Sequence, residues 1–67
     1  MSKDTIGSRL KQQRLKLGLT QAAVAKKADT DTNYYAKIER GEATPSLKTF
    51  TKILKALKAS SSDILSI

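Results

Sequence analysis

The chain contains no cysteine and no histidine. Disulfides, thiolate chemistry and imidazole-based metal sites are therefore excluded, and a reducing compartment suits it. Apolar runs are short: none approaches the roughly 20 residues a membrane span needs. The polar start Met1-Ser2-Lys3-Asp4 lacks the apolar core of a signal peptide, so a cytoplasmic protein is expected. No run alternates with the period of a strand, and there are no internal repeats. The 67 residues allow one domain, 1–67, with a modest core and little stability to spare. Without His or Cys, acid–base or nucleophilic catalysis would fall to carboxylates, lysines or serines. The acids are scattered among caps, turns and one inward helix position, and no Gly-rich phosphate loop occurs. An enzyme is not expected, nor is any cofactor or metal.

Acidic residues are also scarce, six against 13 Lys and Arg, giving a formal charge of +7. That balance points to a polyanion, with nucleic acid ahead of acidic membrane or acidic protein. The excess lies outside the middle of the chain. Residues 1–19 carry five basic groups and one acidic, residues 20–41 four and three, and residues 42–67 four and two.

The middle stretch, Thr20 to Gly41, reads as two short helices joined by a tight turn. Thr20 is a candidate N-cap, and Val24, Ala25 and Ala28 form a narrow apolar stripe. Asp29, Thr30 and Asp31 supply turn chemistry, with Asp31 as a second N-cap. Tyr35 and Ile38 give the next helix its inner side, and Gly41 closes it in the left-handed region. Helices this short need a core from elsewhere. A first helix is predicted over 5–17, with Ile6, Leu10, Arg14 and Leu17 on one stripe. Arg9, Lys11 and Lys16 sit on other faces, and Gly18 is the cap over which Leu19 folds back. After the Pro45 loop, Ser46 caps a fourth helix running to about Lys58, with Leu47, Phe50, Ile53, Leu54 and Leu57 apolar. Its lysines 48, 52, 55 and 58 form an opposite, solvated face. Ser60 and Asp63 form a capping box ahead of a last apolar turn, Ile64, Leu65 and Ile67. The expected architecture is a compact all-α domain of five helices.

The order Thr-Gln-x2-Val-Ala-x2-Ala from Thr20, then Ile38-Glu39-Arg40-Gly41, then Pro45-Ser46-Leu47 resembles the phage-repressor and Cro type (XRE-like) helix-turn-helix domain. The likeness runs from Ile6 to Leu65. It implies a lambda-repressor-like fold whose second and third helices read DNA, acting as a two-fold dimer on a palindromic operator. Some positions depart from the family pattern. Asp29 stands where glycine usually turns the chain, Gln13 where a leucine is often buried, and Lys58 where glycine is common. Tyr35 fills an aliphatic slot, so its hydroxyl must reach the surface or find a partner.

Thr32, Asn33, Ala36, Lys37 and Arg40 are the expected outward positions of the third helix. Asparagine can bond N7 and N6 of adenine, lysine can reach guanine O6 or N7, and a threonine methyl can touch thymine. Thr32, Asn33 and Lys37 are therefore candidate base contacts. Gln21, Tyr34, Arg40, Thr44 and Ser46 are candidate phosphate contacts. Arg14 and Glu39 both lie on inward stripes and are expected to pair, with Arg14 also facing a phosphate. A weak homodimer through the fifth helix, using Ile64, Leu65 and Ile67, completes the expectation. The bland alternative is that Ile64 and Leu65 close the monomer core. The functional reading is a transcriptional regulator binding double-stranded DNA. Its rival is a protein-interaction module of the same fold without DNA binding.

Overall fold

A computed structural model describes residues 5–65, with side chains throughout except at 61 and 65. Five helices follow one another: α1 (Ile6–Lys16), α2 (Gln21–Lys27), α3 (Thr32–Arg40), α4 (Leu47–Ala56) and α5 (Ser61–Leu65). Each begins at a side chain that accepts the backbone N–H three residues on: Thr5, Thr20, Asp31, Ser46 and Ser60. A cap of this kind stabilises a helix by about 1 kcal/mol. At α1 and α5 the cap is reciprocal, with Ser8 answering Thr5 and Asp63 answering Ser60. Turns between helices use the left-handed region at Gly18, Asp29, Gly41 and Lys58. Asp29 and Lys58 thus do the work of glycine at a steric cost.

The core gathers Leu10, Val24, Ala25, Tyr35, Ile38, Ile53, Leu57 and Ile64. Helix α3 packs on α1 and α2, α2 also on α4, and α1 on α5. The α2–α3 pair is therefore held by α1 on one side and α4 on another.

Several expected positions differ. Ile6 and Leu17 are exposed, because α1 buries the stripe Gly7, Leu10 and Arg14 instead. The stripe keeps Leu10 and Arg14 but turns slightly to put Gly7 at the crossing with α3, where a Cβ would run into the backbone carbonyls of Ile38 and Glu39. Leu47 is 81% exposed, since the first turn of α4 projects beyond the core. Helix α4 ends at Ala56 rather than Lys58, with Leu57 as its C-cap. Ala36 is buried, not outward. Its methyl is short, and the longer Asn33 and Arg40, three and four residues away, share its side of the helix. Ile64 is buried in the monomer, so it cannot form part of an exposed strip for dimerisation. The Leu65 side chain and Ile67 lie outside the described residues.

Two long polar side chains brace the helix ends. Gln13 donates to the Leu57 carbonyl at the end of α4 (3.0 Å), and Arg9 to the Ile64 carbonyl in α5 (3.0 Å). These orphan carbonyls need donors when they face protein rather than water. Among the described residues no helix is long and apolar enough to cross a membrane.

Candidate nucleic-acid interface

Helix α3 has two sides of different chemistry. Tyr35, Ile38 and Glu39 point inward and are buried, whereas Thr32, Asn33, Lys37 and Arg40 are exposed. The Asp31 carboxylate caps its start by accepting the Tyr34 N–H at 3.1 Å. The negative charge of Asp31 is thus committed to the helix end, where it is favourable. Asp29 lies 3.7 Å from the Lys52 ammonium of α4, which offsets part of its charge.

Behind this face sits a buried polar cluster. Arg14 Nε donates to Glu39 Oε2 at 2.7 Å and Nη2 to Oε1 at 3.2 Å. Arg14 Nη1 donates to the Leu19 carbonyl at 2.9 Å. The expected pair is present, and Arg14 is buried, with each of its three nitrogens donating to a protein acceptor. These bonds use three of the five guanidinium N–H groups. Burial alone would push the Glu39 pKa up, but the neighbouring Arg14, Tyr35 and Gln21 groups outweigh it and hold the carboxyl below its usual range. The hydrogen bond to Glu39 in turn raises the Arg14 pKa. Tyr35 is fully enclosed, and its hydroxyl neither reaches the surface nor makes a hydrogen bond of good geometry. Burial first, and then the adjacent Glu39 carboxylate, push its pKa upward.

The candidate phosphate contacts divide by how committed they already are. Gln21, half-buried at the start of α2, donates Nε2 to Glu39 Oε1 at 3.0 Å. Arg40 grips Glu42 through two bonds of 2.9 and 3.2 Å on the open surface. The Tyr34 hydroxyl donates a long bond, 3.4 Å, to the Thr44 carbonyl, tying α3 to the loop before α4. Ser46 Oγ accepts the Thr49 N–H and donates to Thr49 Oγ1, both at 3.1 Å. Thr44 is exposed. The structure brings α2, α3 and the loop before α4 together through these links, while among the described residues Thr32, Asn33 and Lys37 make no side-chain hydrogen bond.

Sequence reasoning passed over Gly7 and the Thr5–Ser8 cap, and gave Gln13 and Arg9 no partners. Only the cap had a local signal, a Thr and a Ser three apart ahead of a helical pattern. The other three depend on what α1 meets across the core. Among the described residues no group of three or more acidic side chains could hold a metal ion.

A helix-turn-helix family profile matches residues 10–64. The immunity repressor protein of Bacillus phage phi105 is 42% identical over 53 residues, covering 79% of this chain and 37% of that protein. The chain thus spans little more than a third of that relative's length. The restriction-modification controller protein C.AhdI from Aeromonas hydrophila superposes with a TM-score of 0.85 at 30% identity, over 88% of this chain and 89% of its own. A second controller, C.Esp1396I, solved as a tetramer with its natural 35 base-pair operator, gives 0.80 at 30% identity over 90% and 79%. On the match across most of its length, this chain belongs to the helix-turn-helix family.

Proposed function

We propose that this protein is a sequence-specific DNA-binding transcriptional regulator that lays α3 in the major groove of a palindromic operator. The observation that carries this reading is the division of α3. Its inner side is locked by packing and a buried ion pair, and its outer side offers Thr32, Asn33 and Lys37, exposed and without side-chain hydrogen bonds among the described residues. A helix held rigidly from behind and polar in front is what base-edge recognition requires. Asn33 suits adenine, Lys37 guanine, and the Thr32 methyl thymine.

Gln21, Tyr34, Arg40, Thr44 and Ser46 are assigned to the backbone, where they set register without reading sequence. Arg40 reaches a phosphate by releasing Glu42, an exchange between two exposed partners. Arg14 is assigned first to the ion pair with Glu39, and its two further N–H groups to a phosphate. The net +7 supplies the long-range attraction that brings the duplex in. The operator-bound controller supports two or more copies acting together. On a two-fold site the α3 helices of a pair would lie about one turn apart, ~34 Å. The reading is a binding protein, not an enzyme, working in the cytoplasm.

Selection of bound sequences from a random duplex pool tests the proposal. It should return a palindromic half-site in which adenine and guanine positions depend on Asn33 and Lys37. A pool that shows no enrichment at low salt would favour the interaction-module alternative.

A further inference from the structure

The Glu39 carboxylate is the hub of the buried cluster, and Gln21 links it to the start of α2. A carboxylate can only accept hydrogen bonds. Gln21 must therefore turn Nε2, not Oε1, toward Glu39 Oε1, which it meets at 3.0 Å. Glu39 cannot move to accommodate another arrangement. Its side chain is 2% exposed, and both oxygens are held by Arg14 at 2.7 and 3.2 Å. An Nε2 that gives one hydrogen inward has one hydrogen left. That hydrogen is a donor, matched to a phosphate oxygen; an amide without the inward partner is free to turn Oε1 toward the phosphate, which repels it.

We infer that Glu39 is a positioning residue for DNA binding: it fixes the Gln21 amide so that its remaining N–H is the group offered to the backbone. The inference rests on the assignment of Gln21 to a phosphate. It gives the buried pair a second role beside stability. The anion in the core dictates the polarity of a side chain at the surface, although Glu39 never touches DNA.

A double-mutant cycle in duplex affinity decides it, using wild type, Gln21→Ala, Glu39→Gln and the double variant. Binding is measured on a random-sequence duplex at low salt, well below each variant's melting temperature. Each single variant should weaken binding roughly tenfold, the size of one hydrogen bond to a charged group. The double variant should be no weaker than either. If Gln21→Ala has no effect, the phosphate assignment is wrong and the inference falls with it. If Gln21→Ala weakens binding but Glu39→Gln multiplies the loss independently, the assignment stands and the positioning role is overturned. A second measurement serves if Glu39→Gln does not fold. In the wild type, the two Gln21 side-chain amide protons should give distinct, non-exchanging NMR signals. Adding the duplex should move one and leave the Glu39-bound one in place. Rapid exchange between the two signals, or no shift of either, would overturn the inference.

Discussion

Glu39 and Arg40 are neighbours in sequence, yet each belongs to an arginine–glutamate pair in a different solvent. Arg14–Glu39 closes at 2.7 and 3.2 Å, and Arg40–Glu42 at 2.9 and 3.2 Å. Their geometry is nearly the same. Side-chain exposure is not: 10% and 2% for the inner pair, 52% and 56% for the outer. Distances alone would rank them as equals, but water decides what each contributes. An exposed pair is screened and loses side-chain entropy, so its contribution is small. A buried pair is not a large net gain either, because desolvation offsets the attraction; what is expensive is to break it. The inner pair therefore fixes α1 against α3, and the outer one is a bond that Arg40 can release at little cost.

The largest expected effect comes from leaving one inner charge alone. Arg14→Met should destabilise the fold by ~3–5 kcal/mol, a large share of what a small domain has. In thermal melts the combination with Glu39→Gln should lose clearly less than the two single losses added together. Small, additive losses would erase the difference between the two pairs.

Gly7→Ala tests the approach that lets Arg14 reach Glu39. Alanine would favour the helix by about 0.5–1 kcal/mol, but its Cβ meets Ile38 and Glu39 backbone that cannot rotate away. Overpacking of this kind costs about 1–3 kcal/mol, so the net change should be destabilising. An unchanged or raised melting temperature would show that α1 and α3 are not seated so closely.

Acid should separate the pairs as well. The Glu39 carboxyl is held below its ordinary 4.5, so near that pH the unfolded chain takes up the proton first. Stability is then fully present above about 4.5 and falls as pH drops toward the folded value. Melts of Glu39→Gln should lack this part of the acid loss. Glu42→Gln should retain it: Arg40 also lowers the Glu42 carboxyl, but that pair is open to water and screened.

The smallest effect on the fold, and the most useful for binding, concerns the outer pair itself. Glu42→Gln should leave the melting temperature essentially unchanged. It should tighten binding to every duplex modestly and steepen the salt dependence by up to about one counterion. Weaker binding would mean that Glu42 orients Arg40 for DNA rather than competing with it.

How much of this was legible in the sequence follows from the range of each interaction. Caps act over three residues, and Thr20, Asp31, Ser46 and Ser60 could be read directly. Gly18 and Gly41 were legible for the same reason. The split of α3 was mostly legible from periodicity, with Ala36 misplaced because exposure depends on side-chain length as well as direction. The Arg14–Glu39 pair could be anticipated because an ion on an apolar stripe demands a partner. The seat of α1 could not. Ile6 and Leu17 fit a helical stripe as well as Gly7 does, and only the backbone of α3 across the core selects between them. Gln13 and Arg9 are polar residues whose acceptors lie 44 and 55 residues away. No local pattern announces them. The burial of Ile64 likewise depends on where α5 docks.

On the proposed function, the outer side of α3 reads bases while the groups around it hold the DNA backbone. The direct test is the affinity of wild type, Asn33→Ala, Lys37→Ala and Gln21→Ala for a selected operator and a scrambled duplex, at two salt concentrations. Gln21→Ala should weaken both duplexes by the same factor. Lys37→Ala should weaken both, the operator more, and flatten the salt dependence. Asn33→Ala should lose ~1–3 kcal/mol on the operator and much less on scrambled DNA. Equal losses on the two duplexes for Asn33→Ala would make it a backbone contact and contradict the assignment of the reading face.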